Sequence, residues 1–481
     1  MEGCKSTGKS PDINSGQSIS RAIAELIAEL GEPDKIPESA YAMTRKMILD
    51  TLGNCLAGWN APGVLPVVQQ MCEWGGKEEA HALIYGMKLP APNAAFINST
   101  LVHALDYDDW LRSGQSHIMS SVFPVALAVG ELSHASGKEV MAAIIMGVEV
   151  AGRLGRAYRS RMTSEHFLPS TIIGGFGATA AACRLYQLDI EETVHALGLY
   201  YTQTSGNRQA LYDKTLAKRI QPAFAARSAI WSAALAKRGL TGPLFTFEGI
   251  GGFYRIYAGK GEPPLPAEIC APLDALEIES IIVKQYPFCG ECHAPIEAAL
   301  KLVAQYNLEP RSIERVQIYL GNRFRPTVGM PFHLGRHPQV CAQFSVEYAV
   351  ALALTKRQIS LADLTDESIR RNKETLELVA RTQVVTQIPH DIPPGGKGNM
   401  VSVVTIDGNR YTAWCPIDEV LDTHVMPYER VAAKFYDSVQ FSGLFTAEQA
   451  VELERQVAAF AAVEDVAEFV SRLCVKGVAI W

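Results

Sequence analysis

Acidic and imidazole side chains are concentrated between residues 103 and 117. Two histidines and three aspartates stand in this short segment: His103, Asp106, Asp108, Asp109 and His117. An imidazole titrates near neutral pH and can remove or deliver a proton, and a nearby carboxylate can orient it and hold its charge. The segment therefore suits proton transfer at a bound substrate. The alternative is a helix end followed by a solvated acidic loop.

A pair of basic residues, Lys218 and Arg219, precedes a run of small residues from Ala223 to Ala236. Small side chains let neighbouring helices approach closely, so this run predicts a central, tightly packed helix. Cations beside the N–H groups at the start of a helix indicate a site for an anion. The alternative for Lys218 is an ordinary lysine whose aliphatic stem covers apolar neighbours.

Two other sequence motifs match cofactor-binding patterns but lack the context that such sites need. Residues 3–10 match the phosphate-loop pattern, but only two residues precede them, and such a loop needs a buried strand to launch it. Residues 289–293 match the pattern for covalent haem attachment, which requires export, and nothing in the sequence indicates export. A structural zinc site needs four ligands, and no second cysteine pair has suitable spacing. We predict neither a metal nor an organic cofactor.

The composition indicates a cytoplasmic protein large enough for two domains. The chain has 481 residues, 48% of them hydrophobic, and a formal net charge of −7, which argues against a general nucleic-acid surface. The longest apolar stretches, 122–130 and 140–152, are too short to span a membrane, and residues 1–16 lack the apolar core of a secretory signal. The ten cysteines are dispersed, so reduced thiols are expected.

Periodicity in the sequence predicts a mainly α fold. Apolar residues at helical spacing dominate the first half, and helical character returns after residue 427. Alternating residues at 314–321 and a hairpin turning at Asp407-Gly408 predict strands between them. We therefore expect a disordered tail at 1–18, a large helical domain built from 19–279 and 419–481, and a smaller α+β lid domain at 280–418.

The segment from His103 to Asp109 has the form H-x-x-D-[FY]-D-D, followed by His117 and, seven residues later, Pro124. This spacing resembles the MmgE/PrpD family, which includes 2-methylcitrate dehydratase and cis-aconitate decarboxylase. Further similar segments lie at 45–53, 218–227, 251–253, 286–293 and 344–351, so the resemblance extends over about residues 20–475.

The resemblance implies a homodimer whose active site lies in a cleft between a helical domain and a lid, without metal or organic cofactor. It places active-site residues at Asp106, His117, Lys218 and Cys289. Other residues then flank them in substrate-binding positions: His103, Asp109, Arg219, Gln221 and His293.

The chemistry of such a family asks for the same residue types. A carbanion beside a carboxylate needs fixed positive charge, which Lys218 and Arg219 could supply. We expect His117 to handle the carbon-bound proton, and Asp106 to orient an imidazole or lysine.

Three positions depart from the family pattern. Trp110 stands where the decarboxylase branch often has threonine, and Cys289 and Leu168 stand where histidines are usual. We expect His166 to fill the space of the histidine missing at Leu168.

The sequence thus predicts a lyase acting on a small di- or tricarboxylic acid. Dehydration of a 2-methylcitrate-like acid is the first hypothesis. The alternatives are decarboxylation of a cis-aconitate-like acid, epimerisation of an iminodisuccinate-like acid, and a non-catalytic scaffold or carboxylate binder.

Overall fold

The computed structural model describes residues 18–259, 261–387, 399–416, 420 and 426–480. Most of the predicted disordered tail, residues 1–17 with the phosphate-loop pattern, lies outside these ranges. The described residues are 59% helical with only small sheets. The predicted fold class, mainly α with a smaller α+β part, is confirmed.

Helices α1 to α12 form the N-terminal part of the fold. They span Ile19–Leu30, Glu38–Gly58, Val64–Trp74, Ala91–His103, Met119–Ser133, Gly137–Arg159, Pro169–Ile172, Gly174–Leu185, Ile190–Tyr201, Gln209–Tyr212, Ala217–Ala236 and Pro266–Ile269. Ser18 caps α1, and Ser136 with Glu139 forms a capping box at the start of α6, which satisfies N–H groups that the helix leaves free. Two short antiparallel pairs accompany them: Ala80–His81 (β1) with Lys88–Leu89 (β2), and Trp110–Leu111 (β3) with Ile281–Ile282 (β4).

The α+β part contains a four-stranded sheet. Its strands are Ile313–Tyr319 (β5), Thr382–Val385 (β6), Asn399–Thr405 (β7) and Arg410–Cys415 (β8), in the order β6-β5-β7-β8. β5 is parallel to β6 and antiparallel to β7, and the predicted hairpin joins β7 to β8 with Gly408 at φ 85°. Helices α13 to α18 belong to this part: His293–Tyr306, Arg325–Val328, Pro338–Gln343, Val346–Lys356, Asp366–Arg371 and Lys373–Val379.

Helices α19 to α21 end the described chain and span Tyr428–Ser442, Ala447–Ala458 and Val466–Ser471. α19 packs on α2, where Phe435 lies against Gly53. One hydrophobic core accordingly unites apolar residues from 19–283 with others from 426–473, and a second unites residues from 288–420. The numerical domain boundaries stay predictions, and the one at 418/419 falls among undescribed residues.

Two properties of the chain bear on its environment. No helix among the described residues combines the length and apolarity that crossing a bilayer requires. All nine cysteines of the described chain are free thiols, as expected.

Glycine permits the close crossing of α6 and α8 at the centre of the helical part. A Cβ atom on Gly147 would lie 2.7 Å from the carbonyl oxygen of Gly177 and 2.8 Å from a methyl carbon of Val122. Neither the backbone oxygen nor the packed side chain has room to move, because close-packed interiors contain few voids. The crossing therefore depends on the absence of a side chain.

We predict that Gly147→Ala lowers the free energy of unfolding by about 1–3 kcal/mol, because overpacking at the crossing outweighs the better helix propensity of alanine. Urea denaturation followed by circular dichroism measures the change. Gly251→Ala is the control, since a Cβ atom there would meet nothing within 4 Å. Equal stability of the two variants would contradict the packing argument.

Candidate active site

The loop between α4 and α5 carries the acidic segment. Helix α4 ends at His103, and Asp106 takes a left-handed backbone conformation with φ 52°, which aspartate tolerates better than most residues. The carboxylate of Asp109 accepts hydrogen bonds from the backbone N–H groups of Ile118 and Met119, each at 3.0 Å. Asp109 therefore fixes the entry to α5 and does not line the cavity described below.

Asp108 lies between two imidazoles. His103 Nδ1 is 2.7 Å from one carboxylate oxygen of Asp108, and His117 Nδ1 is 3.3 Å from the other. The hydrogen bond to Asp108 favours the His103 tautomer that is protonated at Nδ1, and the 3.3 Å contact turns His117 Nδ1 toward the same carboxylate. In this arrangement each ring keeps Nε2 as a possible base. Asp106 was expected to orient an imidazole or a lysine. The closest carboxylate to both imidazoles is Asp108, and Asp106 lies against lysine.

Asp106 instead forms a buried cluster with two lysines. Lys218, in the first turn of α11, contacts one carboxylate oxygen of Asp106, and Lys284 Nζ lies 2.8 Å from the other. Lys284 is fully buried and also donates to the backbone carbonyl of Asp106 at 2.6 Å. His117 Nε2 lies 3.9 Å from Asp106, at the edge of this cluster.

Lys284 was not predicted from the sequence. The pairing of β3 with β4 brings it to the loop, because Trp110 faces Ile282 in register and Lys284 follows two residues later. A lysine immediately after the apolar run 281–283 was the available signal, since an unpaired lysine is rarely buried.

Burial and neighbouring charges together determine which groups of the cluster are ionised. Burial would raise the pKa of Asp106, but Lys218 and Lys284 hold it well below its usual range. Burial likewise opposes ionisation of Asp108, whose pKa the two imidazoles lower. Burial lowers the pKa of His103 to about 4 and lowers that of His117 as well. Both histidines are thus neutral bases beside two ionised carboxylates near neutral pH.

A cavity of about 70 Å³ adjoins this cluster. The polar groups that the helical part contributes to the cavity include Asp106, His117, Lys218 and Ser170. The Oγ atom of Ser170 also accepts a hydrogen bond from the backbone N–H of His117 at 3.0 Å. Arg208 also lines the cavity. Its guanidinium forms no hydrogen bond or ion pair with any residue that the structure describes, and its Nε atom is buried.

The rest of the cavity wall is largely apolar. It includes all three positions that depart from the family pattern, Trp110, Leu168 and Cys289, as well as Phe344 of the α+β part. Burial raises the pKa of the Cys289 thiol to about 12, so Cys289 is a neutral thiol. The ring of Trp110 lies where a Cβ atom on Gly290 would stand, so this wall requires glycine at 290.

Two predicted residues on α11 lie away from the cavity. Arg219 NH1 donates to the carbonyl of Pro62 and NH2 to Gln339 Oε1, each at 2.7 Å. Arg219 therefore links the helical and α+β parts and is not free to bind an anion. Gln221 donates to the carbonyl of Asn207 at 2.9 Å and lines a separate cavity on the outer side of α11.

The remaining histidines also differ from expectation. His166 is exposed, with its ring 6.5 Å from that of Tyr212, and Leu168 occupies the cavity wall in its place. His293 is fully buried beside the carbonyl of Phe288, and burial lowers its pKa to about 3. His103 is buried behind His117, with the ring centroids 4.8 Å apart, and does not line the cavity.

Among the described residues, His103, Asp108 and His117 are the one group whose ligand atoms are close enough to hold a metal ion, all within 4.8 Å of one another. Their Nδ1 atoms are already directed at the carboxylate of Asp108. A metal bound by these atoms would have to replace both contacts, so the arrangement fits proton sharing better than metal ligation.

We predict that Lys284→Met lowers the free energy of unfolding by about 3 kcal/mol at neutral pH, because it removes one cation from the buried Asp106 carboxylate and the donors to one carboxylate oxygen and to the Asp106 backbone carbonyl. Asp106→Asn added to Lys284→Met should recover much of the loss. Because the pKa of Asp106 is depressed in the folded protein, the stability that the pair contributes is present above the unfolded value of about 3.9 and fades below it. Urea denaturation between pH 3 and pH 7 tests this, and a pH-independent difference would contradict it.

Sequence models of the family cover most of the chain. The MmgE/PrpD N-terminal domain matches residues 21–266, and the MmgE/PrpD C-terminal domain matches residues 286–460. Curated relatives are similar at low identity. The cis-aconitate decarboxylase of Aspergillus terreus is 28% identical over 385 residues, which are 76% of this chain and 78% of that protein.

Mammalian relatives match over a longer region. The human cis-aconitate decarboxylase is 25% identical over 415 residues, 82% of each chain, and the mouse protein is 24% identical over 82% of this chain and 81% of its own. The resemblance stated from the motifs is thereby confirmed. Because the two domain models together account for residues 21–266 and 286–460, the chain belongs to the MmgE/PrpD family.

Proposed function

We propose that the chain is a lyase that removes one carboxylate, as carbon dioxide, from a small unsaturated tricarboxylic acid of the cis-aconitate type. The observation that carries this proposal is the similarity to cis-aconitate decarboxylases over 76% to 82% of the chain, together with a cavity onto which His117 and Lys218 open. These relatives favour the decarboxylase alternative over the 2-methylcitrate-type dehydration that we placed first.

The reaction needs positive charge to stabilise a developing carbanion and one proton to complete the product. The bond between a methylene carbon and its carboxylate breaks and releases carbon dioxide, and its electron pair forms a new carbon–carbon double bond. The original double bond shifts, so negative charge develops on the carbon beside a second carboxylate, where a proton is added. Fixed cations stabilise such charge, and a positioned acid delivers the proton. The proposed reaction needs neither metal nor organic cofactor.

The residues at the cavity suit these tasks. Lys218 supplies a cation in the cluster with Asp106 and Lys284. Arg208 lines the cavity, and its Nε has no hydrogen-bond partner among the described residues, so its guanidinium is available for another carboxylate. His117 presents Nε2 beside the cavity, and Asp108 orients its ring. Burial lowers the pKa of His117 in the free site, whereas an anionic substrate would favour the protonated ring that can donate.

The apolar wall supports decarboxylation. A carboxylate next to Trp110, Leu168 and Phe344 is poorly solvated, whereas carbon dioxide is apolar and uncharged. The volume of about 70 Å³ is smaller than the roughly 300–1,000 Å³ of typical ligand sites. Residues of both the helical and α+β parts line the cavity, so a small separation of the two parts would enlarge it.

We predict that the purified protein converts cis-aconitate with release of carbon dioxide, and that His117→Asn lowers kcat by about 100-fold or more. Proton NMR in deuterated buffer follows the product and the incorporated deuterium. His134→Asn is the matched control, because His134 also has Nδ1 beside a carboxylate, that of Asp465 at 2.9 Å, but on the surface.

A panel of 2-methylcitrate and iminodisuccinate distinguishes the alternatives. Loss of water from the first, or deuterium exchange in the second without net conversion, would replace the decarboxylase proposal. Equal kcat in His117→Asn and His134→Asn would remove His117 from the reaction.

We propose further that the protein is a homodimer, and its cytoplasmic location stays a prediction. Three large apolar side chains, Phe224, Trp231 and Leu235, follow one face of α11 and are 43%, 46% and 41% exposed. Large exposed apolar side chains on one helix face, with the Arg227 guanidinium against the rings of Phe224 and Trp231, are typical of protein interfaces.

We expect sedimentation velocity to give about twice the chain mass of 52.4 kDa, and Trp231→Glu to shift the protein toward the monomer. Trp74→Glu is the control, because Trp74 is 63% exposed at the far end of α3. A wild-type monomer would contradict the proposal.

A further inference from the structure

Three consecutive carbonyl groups of the active-site loop each accept a hydrogen bond from a distant side chain. Gln343 Nε2 donates to the carbonyl of residue 105 at 2.5 Å, Lys284 Nζ to that of residue 106 at 2.6 Å, and Lys434 Nζ to that of residue 107 at 2.8 Å. The donors come from the α+β part, from the segment after β4, and from α19. The loop backbone is thus held by three segments at once.

Lys434 has the most elaborate surroundings of the three donors. Its Nζ lies 2.7 Å from the carboxylate of Asp50 on α2 and 3.7 Å from the ring centroid of Tyr107. Asn54 donates to the same carboxylate at 3.2 Å. The ion pair is buried, and a buried ion pair stabilises a fold weakly because desolvation opposes it. The contact of this ion pair with the loop is therefore better explained by the backbone geometry that Lys434 imposes at Tyr107.

The position of Tyr107 explains what Lys434 would control. Tyr107 separates Asp106, which contacts the lysines, from Asp108, which orients both histidines. Asp106 has φ 52°, a conformation that is less stable for most side chains than the right-handed one. A rotation of the peptide after Tyr107 would turn Asp108 away from His117 Nδ1.

We propose that Lys434, with Asp50 as its counter-ion, is a positioning residue that fixes the Tyr107 peptide and thereby directs Asp108 at His117. The groups that face Lys434 are the carboxylate of Asp50, the carbonyl and ring of Tyr107 and, at longer range, the charges of Lys284 and Asp108. Lys434 does not line the cavity. It acts on the reaction only through the loop, so the kinetic part of this inference rests on the proposed function.

The test compares Asp50→Asn with the double variant Asp50→Asn/Lys434→Met. The single variant keeps a donor for the Tyr107 carbonyl, and the double variant removes the donor without leaving a buried carboxylate unpaired. We expect the double variant to lose at least about tenfold in kcat relative to the single variant, with KM changed less than about threefold, because small displacements of a catalytic group cost rate more than binding. Lys46→Met is the control, since Lys46 on α2 donates to the Met426 carbonyl at 3.2 Å, away from the loop.

A second measurement does not need turnover. Selective ¹⁵N labelling of histidine reports which ring nitrogen carries the proton, and we expect the His103 and His117 signals to change in the double variant and not in Lys46→Met. The inference would be overturned if the double variant had unchanged histidine signals and the same kcat as the single variant. If wild-type protein does not turn over cis-aconitate, the proposed function fails, while the histidine spectra still decide whether Lys434 positions the loop.

Discussion

Two ionised carboxylates, Asp106 and Asp108, are buried one residue apart, and the rest of the site depends on how their charges are balanced. Ionised groups leave water only when cations or strong donors replace it. Lys218 and Lys284 balance Asp106, whereas Asp108 has a hydrogen bond with His103 and a 3.3 Å contact with His117. Because these partners come from α4, α11, the residues just before α5 and the segment after β4, the two carboxylates require all four segments to meet at one point.

This requirement explains what the sequence could and could not predict. His117, Asp106 and Lys218 were predicted to belong together, and the structure gathers them at one cavity. The resemblance to the MmgE/PrpD family carried that information, whereas local spacing predicted the hairpin turn and the helices. Lys284 was missed because its role depends on the pairing of β3 with β4, a contact between residues about 170 apart in the chain. No local pattern encodes that pairing.

Helix geometry explains why the flanking predictions on α11 differ from the structure. Successive residues of an α-helix point about 100° apart, so Lys218 and Arg219 cannot both face one cavity. Lys218 faces Asp106, and Arg219 accordingly faces Pro62 and Gln339. Lys218 and Arg219 were predicted to form an anion site because they are adjacent in the sequence. The same adjacency explains why only Lys218 reaches the cavity. The helical periodicity of the sequence was enough to predict that the two side chains point in different directions.

One side chain of the α+β part contacts both the loop between α4 and α5 and helix α11. Gln343 donates to the carbonyl of Leu105, accepts from Arg219 at 3.3 Å, and its own carbonyl accepts from the Cys289 N–H at 2.9 Å. Residue 343 therefore connects the loop, α11 and the apolar wall. A separation of the helical and α+β parts would break the hydrogen bond at residue 105, because its donor and acceptor belong to different parts. The geometry of the loop therefore depends on how the two parts pack together, although Gln343 itself does not line the cavity.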